Sequence, residues 1–432
     1  MTWSVVFRLR RYLRESLWVT PLIGGVFGWA LGVAASDLGT IADLSMRWQY
    51  SASTAESVLA SVVAASVGLI GFVVTVSVLI VQMATGTFSA RYMRIFYRDW
   101  AFKAVLAVLI ATFTLSYTLL RHVEADSVPD LGVTLVGAFL GLGILLFVIF
   151  LDRAIHRLRP VAVAALVAKA GRRALHEALA EAAKPDAPAV VPAPYSAPGE
   201  PALVVRMERG GAIQAINARG LGKWAHASGT LVVLRHPVGD FVSAGAALME
   251  VYGPDPGPEA ERQLRSMVAL GVERTIEQDP AFAVRIMVDI AIRALSPAVN
   301  DPTTAVQVLD HLEDLLRLVG QAELSDRGVP LAEMDTGLVV PIRRWSDYLT
   351  LSVTEIREYG DTSIQVVRRL RAMLEELEQS VLPERREAVL DELGRLDAVV
   401  ASTWGGTVDA DLAGLSDRQG IGGPTRATTP TE

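Results

Sequence analysis

The sequence predicts an α-helical membrane domain of four transmembrane helices plus a cytoplasmic α+β region, in which a small β barrel-sandwich-like module precedes a helical domain. Three observations predict it. The 432-residue chain is 51% hydrophobic with a mean hydropathy of +0.36, high for a soluble protein. Four long apolar runs fall in residues 17–151. Charge is divided between the halves: residues 1–173 carry 16 Lys+Arg against 9 Asp+Glu, a net +7, whereas residues 174–432 carry 24 against 38, a net −14. A basic membrane-proximal half with an acidic distal half fits a membrane anchor bearing a folded domain. It disfavours nucleic-acid binding, which needs a basic surface to neutralise phosphates. The chain has no cysteine, which excludes disulfides, thiolate catalysis and cysteine-ligated metals.

Residues 1–16 form a basic N-terminus. The spans are expected at Leu17–Ser36, Val58–Ala84, Ala101–Leu120 and Leu131–Leu151, each long enough to cross a bilayer. The first run is long and a second span follows closely, so it reads as a span and not as a cleaved leader. Orientation follows the Lys/Arg bias of the flanks. Arg8, Arg10, Arg11, Arg14, Arg91, Arg94, Arg98, Lys103, Arg153, Arg157, Arg159, Lys169, Arg172 and Arg173 lie on one side, against Arg47 and Arg121 on the other. Both termini are therefore expected in the cytoplasm, with the lipid bilayer as the first partner. Trp18, Trp48, Tyr50, Tyr92, Tyr97 and Trp100 stand near span ends, as interfacial aromatics do.

The second span is unlike the others. Ser61, Gly68, Thr75 and Gln82 recur every seven residues, with Ser57, Ala64, Gly71 and Thr85 beside them. A helix turns nearly twice in seven residues, so these form one small and polar seam. Two readings stand side by side: helix packing through small residues, or the wall of a water-filled pore. Both hold if several copies meet at an axis. No Asp, Glu, Lys or Arg lies deep in a span, which counts against an ion-coupled transporter. In a pore, Arg91, Arg94 and Arg98 would ring the cytoplasmic mouth; otherwise they are the ordinary positive-inside anchor.

Residues 152–201 read as a basic helix followed by a Pro/Ala-rich linker, Lys184–Pro201. Residues 202–257 switch to strand signals, LVVRM, AIQAI, TLVVLRH and AALMEVYG. The segment HPVGDFVSAGAALMEV resembles the half-motif of the biotinyl/lipoyl-like barrel-sandwich fold. Its expected hairpin, His226–Gly229, lacks the lysine of a carrier, so a structural module is predicted. Residues 258–402 read as a helical domain. A helix is expected over 259–277, and Asp279-Pro280 starts the next by N-cap and first-turn logic. On it, Arg285, Asp289 and Arg293 form a stripe at i, i+4, i+8 that needs one further carboxylate, expected among Glu277, Asp279 and Asp301. Ser296-Pro297 ends that helix, and Asn300, Asp301, Pro302 and Thr303 begin another. This elbow is a corner, or else a place where Arg293, Thr303, Thr304 and free backbone N–H groups hold an anion. Helices follow at 340–359, 362–380 and 384–402, and residues 403–432 read as a flexible tail.

The six histidines are scattered, and no HExxH, GxSxG, Walker or GxGxxG context occurs. No catalytic residue, metal site or cofactor is expected, and an enzyme is not predicted. With these residues laid out, the chain resembles the bacterial family of predicted membrane proteins called domain of unknown function 2254. The likeness rests on the four spans, QMATGTFSAR at the end of the second, GDFVSAG, and ERTIEQDPAFAVRIMVDIAIRALSPAVNDPTTA. Ala90 departs from the proline expected before Arg91. The resemblance implies the architecture and carries no activity. The functional expectation is a homo-oligomeric, channel-like protein with a cytoplasmic regulatory domain. The alternative is a membrane-tethered ligand sensor or scaffold without conduction, its cytoplasmic ligand or protein partner bound near the elbow.

Overall fold

The computed structural model describes residues 3–41, 50–87, 99–124, 128–157, 159–182, 189–192, 199–322 and 337–422. They divide into two compact units, Arg10–Arg159 and Met1–Leu9 with Pro160–Glu432.

The unit over 10–159 holds the C-terminal part of α1 (Trp3–Glu15) and all of α2 (Val19–Ile41), α3 (Ala52–Thr87), α4 (Trp100–Leu120) and α5 (Asp130–Arg157). Helices α2 to α5 are each long and apolar enough to cross a membrane. Helix α4 is the hub and packs against α2, α3 and α5. Its first turn is capped by Asp99, whose carboxylate accepts from Ala101 N at 2.8 Å. The α2–α4 contact is built on glycine. A Cβ at Gly24 would stand 2.3 Å from Ala107 O, and one at Gly28 would stand 2.2 Å from Ala111 O. Only hydrogen fits at these two positions, so the backbones meet directly, as small residues allow in lipid. Thr114 Oγ1 donates to Gly25 O across the same contact at 3.0 Å. Helix α3 buries the stripe Ala55, Leu59, Val62, Ser66, Val73, Ser77 and Ile80.

The second unit begins with α6 (Pro160–Ala182). The basic helix expected to run on from the last span is interrupted at Pro160, because proline lacks the N–H and its ring crowds the preceding turn. Strands β1 (Ala189–Pro192), β8 (Gly337–Ile342), β4 (Leu231–Leu234), β6 (Ala247–Tyr252) and β2 (Leu203–Arg206) form one sheet in that order. The β1–β8 and β8–β4 pairs are parallel, and the β4–β6 and β6–β2 pairs antiparallel. A second, antiparallel sheet has the order β5 (Phe241–Val242), β3 (Gly211–Ile216), β7 (Val268–Gly271). Helix α7 (Ala218–Ser228) connects β3 to β4. Its residues Leu221 and Ala225 join Val205, Ile213, Val232, Leu248 and Val251 in one core.

Helices α8 (Ala260–Arg265), α9 (Pro280–Ala294), α10 (Pro302–Gln321), α11 (Trp345–Tyr359), α12 (Ile364–Ser380), α13 (Arg386–Trp404) and the short α14 (Ala410–Ala413) complete the unit. Helix α9 is buried nearly all round, as a sequence apolar on nearly every side but the Arg285–Asp289–Arg293 stripe requires. Helix α6 packs on it closely enough that a Cβ at Gly171 would lie 2.7 Å from Ala283 Cβ.

Several expectations are corrected. The predicted hairpin at His226–Gly229 is the end of α7, with Gly229 as its left-handed C-cap at φ 63°. The helix expected over 259–277 stops at Arg265, and the chain turns into β7 to complete a ladder with β3. The helix expected from Val340 starts at Trp345, because Gly337–Ile342 is a strand lying between β1 and β4. Four residues of the expected linker pair as β1. Part of the expected flexible tail is also folded. Arg368, fully buried, donates through Nε to Leu415 O at 3.2 Å and through Nη1 to Gly422 O at 3.3 Å. Asp417 accepts from Gly420 N at 3.0 Å and Gly422 N at 2.8 Å.

Candidate functional site

The seam predicted on the second span lies on α3 opposite its buried stripe. Ser61, Gly68, Thr75 and Gln82 are all exposed in the single chain. Among the described residues, nothing beyond the helix's own backbone stands within 4 Å of a Cβ placed at Gly68 or Gly71. The hydroxyls are satisfied by their own helix: Ser61 Oγ donates to Ser57 O at 2.7 Å and Thr75 Oγ1 to Gly71 O at 2.9 Å. The seam is therefore an open, smooth face. Arg91, Arg94 and Arg98, the expected cytoplasmic mouth, lie outside the described residues.

The elbow is a set of caps. Asp301 accepts from Thr304 N at 3.1 Å and from Thr304 Oγ1 at 2.5 Å, while its own N–H reaches back to Ala294 O at 2.7 Å. Ser296 Oγ donates to Arg293 O at 2.7 Å, closing α9. Asn300 takes φ 48°, a left-handed conformation that asparagine tolerates. Thr303 is exposed and Thr304 buried. The arginine stripe finds its extra carboxylate on α11. Arg285 Nε donates to Asp289 at 2.7 Å and Nη2 to Glu355 Oε2 at 2.7 Å. Asp279 and Asp301, expected as that partner, are engaged elsewhere. The hydrogen bonds from Arg285 hold the Glu355 carboxyl below its usual range.

A second cluster, which sequence did not assemble as a site, forms where the two most distinctive motifs meet. In ERTIEQD, Thr275 Oγ1 donates to Gln214 O at 3.3 Å, and the Gln278 side chain accepts from Ile216 N at 2.9 Å, so the segment is laced to β3. Asp279 caps α9 through Phe282 N at 3.3 Å and receives Arg274 Nε at 3.0 Å and Nη2 at 2.8 Å. Arg274 also stacks over the Phe282 ring, 5.7 Å from its centroid. Against this pair lies Gly239 of GDFVSAG, at φ 97°, where a Cβ would be 2.0 Å from Asp279 Oδ2. The next residue, Asp240, accepts from Arg343 Nη2 at 2.9 Å. Burial raises the pKa of Asp279, against the lowering effect of Arg274. Glycine at 239 was legible as a motif residue. Nothing in the sequence pattern marked Arg343, which acts from a different strand end. No group of three or more metal-ligating side chains occurs among the described residues.

The order of these pieces invites comparison with known proteins. The model of the predicted membrane protein family DUF2254 matches residues 14–376, which include the spans, the seam and both motifs. The chain belongs to this family. It is 31% identical over 443 aligned positions to uncharacterised proteins of Mycobacterium tuberculosis and Mycobacterium bovis, covering 98% of this chain and 82% of each relative. No solved structure matches. In this family member, motif residues Gly239, Asp240, Arg274 and Asp279 meet in a junction of paired charges.

Proposed function

We propose that the chain assembles in the bacterial inner membrane as a homo-oligomeric, channel-like protein, with α3 toward the axis and residues 160–432 as a cytoplasmic regulatory domain. The observation that carries this reading is the open face of α3. Small residues that pack inside a protomer lie against a neighbour, as Gly24 and Gly28 do; Gly68 and Gly71 meet nothing within 4 Å. A 36-residue helix with such a face suits close contact with further copies of itself in lipid. The Ser61 and Thr75 hydroxyls would line the contact or the lumen. The division of Lys and Arg between the flanks supports cytoplasmic termini.

The test is the mass of the particle in nanodiscs, by native mass spectrometry or light scattering. A ring of several copies is expected for wild type, and a smaller particle for Gly68→Leu/Gly71→Leu. A monomeric wild type overturns the proposal, since one polar helix among four cannot enclose an axis. Because the chain has no cysteine, Gln82→Cys supplies a single thiol. Its failure to react with a polar thiol reagent under any condition would remove conduction and leave assembly alone.

A further inference from the structure

A cleft of about 490 Å³ lies within the unit that contains residues 160–432. One wall is the apolar face of α6, with Leu175 and Ala178; another is the end of β8, with Val340 and Ile342. At its polar end stand Asp279, Arg343 and Tyr348, which belong to or border the motif junction. We propose that this cleft binds a small, uncharged, largely apolar molecule that carries a hydrogen-bond acceptor.

The volume lies in the range of small-molecule sites, which are mostly apolar with a few fixed polar groups. Apart from the exposed Glu177, the charges around it are engaged. Arg219 holds Glu181 at 2.8 and 3.2 Å, Arg274 holds Asp279, and Arg343 holds Asp240. An anion would have to break one of these pairs or enter uncompensated, which is costly, and a cation could meet only the exposed Glu177, where an ion pair contributes little. The tyrosine is different. Tyr348 is only 9% exposed, and no described residue accepts from its hydroxyl. Tyr348 lines the cleft, and a donor there without a protein acceptor is free for the ligand's acceptor, as the few fixed polar groups of small-molecule sites are. Burial also keeps that hydroxyl protonated at any physiological pH.

The inference is independent of what the spans do, because every lining residue belongs to one unit. The probe is 6-propionyl-2-(dimethylamino)naphthalene, an uncharged aromatic ketone, titrated into the full chain in detergent and counted by native mass spectrometry. One saturable site per chain is expected. Ala178→Phe, at an exposed position on the cleft wall, should weaken binding at least tenfold. Tyr348→Phe, which removes only the hydroxyl, should weaken it three- to tenfold. Both variants should melt as wild type does. No saturable binding, or equal binding by Ala178→Phe, overturns the site. Equal binding by Tyr348→Phe overturns the acceptor. Tighter binding of the anionic 1-anilinonaphthalene-8-sulfonate than of the ketone overturns the uncharged class. A monomeric particle with the site intact would overturn the channel reading only.

Discussion

Replacing Gly28 and Gly68 by alanine, one at a time, separates the covered helix face from the open one. At Gly28 the new Cβ would stand 2.2 Å from Ala111 O and 2.7 Å from Ala111 Cα. Ordinary contact begins near 3.4 Å, so the methyl group is about 1.2 Å too close, and the nearest obstacle is the Ala111 backbone, with Thr114 Oγ1 at 2.4 Å. Helices α2 and α4 must separate. Overpacking typically costs about 1–3 kcal/mol, and a rigid backbone obstacle places this site near about 3. Alanine regains about 1 kcal/mol of helix propensity over glycine, which leaves a net loss of about 2 kcal/mol. At Gly68 the Cβ meets nothing, so only the gain of about 1 kcal/mol operates. The two variants should therefore differ by about 3 kcal/mol in protomer stability. The assay is thermal unfolding in nanodiscs, followed by intrinsic tryptophan fluorescence. Gly28→Ala should lower the midpoint by several degrees, while Gly68→Ala leaves the protomer's own transition unchanged or slightly raised. Equal losses at the two sites, or no loss at Gly28, would refute the assignment of faces.

Two more tests concern the distal unit. Asp279→Ala removes a helix cap and the partner of Arg274, so a loss of about 2 kcal/mol is expected in chemical denaturation, with a smaller loss for Asp279→Asn, which can still cap. Gly239→Ala removes no contact yet forces φ 97° on a side chain aimed at Asp279; strain alone costs about 1–3 kcal/mol. If the two sites touch, Gly239→Ala should cost measurably less in the Asp279→Ala background, and strict additivity would contradict the contact. The third test is pH. Burial lowers the pKa of His311 below 6.5, against the raising effect of Asp310. The unfolded chain then binds the proton first, so stability falls as pH drops through 6.5 toward the lower folded value. His311→Gln should show a smaller drop in melting midpoint between neutral pH and the acid side of that window; parallel curves would exclude His311 as a source.

The sequence announced the spans because length and apolarity alone set them, and α2 to α5 appear close to where Leu17–Ser36 and its successors placed them. It announced α9 and α10 because Asp279-Pro280 and Asp301-Pro302 are local signals whose cause is local. It misled where the deciding partner is remote. Val268–Gly271 has no alternation strong enough to overrule a helical neighbourhood, and becomes a strand only because β3 offers a ladder. Gly337–Ile342 is held between β1 and β4, from segments about 100 or more residues away in sequence. His226–Gly229 ends in a glycine, which serves a hairpin or a helix C-cap equally well, and only the preceding eleven residues of α7 decide. The junction of Gly239, Asp240, Arg274, Asp279 and Arg343 was half legible. Its motifs stood out, but their meeting depends on three separate loops.

The small-residue stripes show why pattern alone could not give function. Gly24 and Gly28 stand four residues apart on α2, and Gly68 and Gly71 share a stripe on α3; either pair is a standard mark of helix packing. The first is filled by α4 to within 2.3 Å, and the second is empty to 4 Å. Composition is the same in both; what differs is that one stripe has a neighbour in its own chain. If lipid were the natural cover for α3, larger side chains would gain dispersion contacts there at no steric cost, as Phe72, Leu79 and Met83 do on adjoining exposed positions. Glycine at 68 and 71 forgoes those contacts and also the helix propensity that alanine would supply. A second backbone approaching that surface would account for both losses, which is the argument behind the proposed assembly.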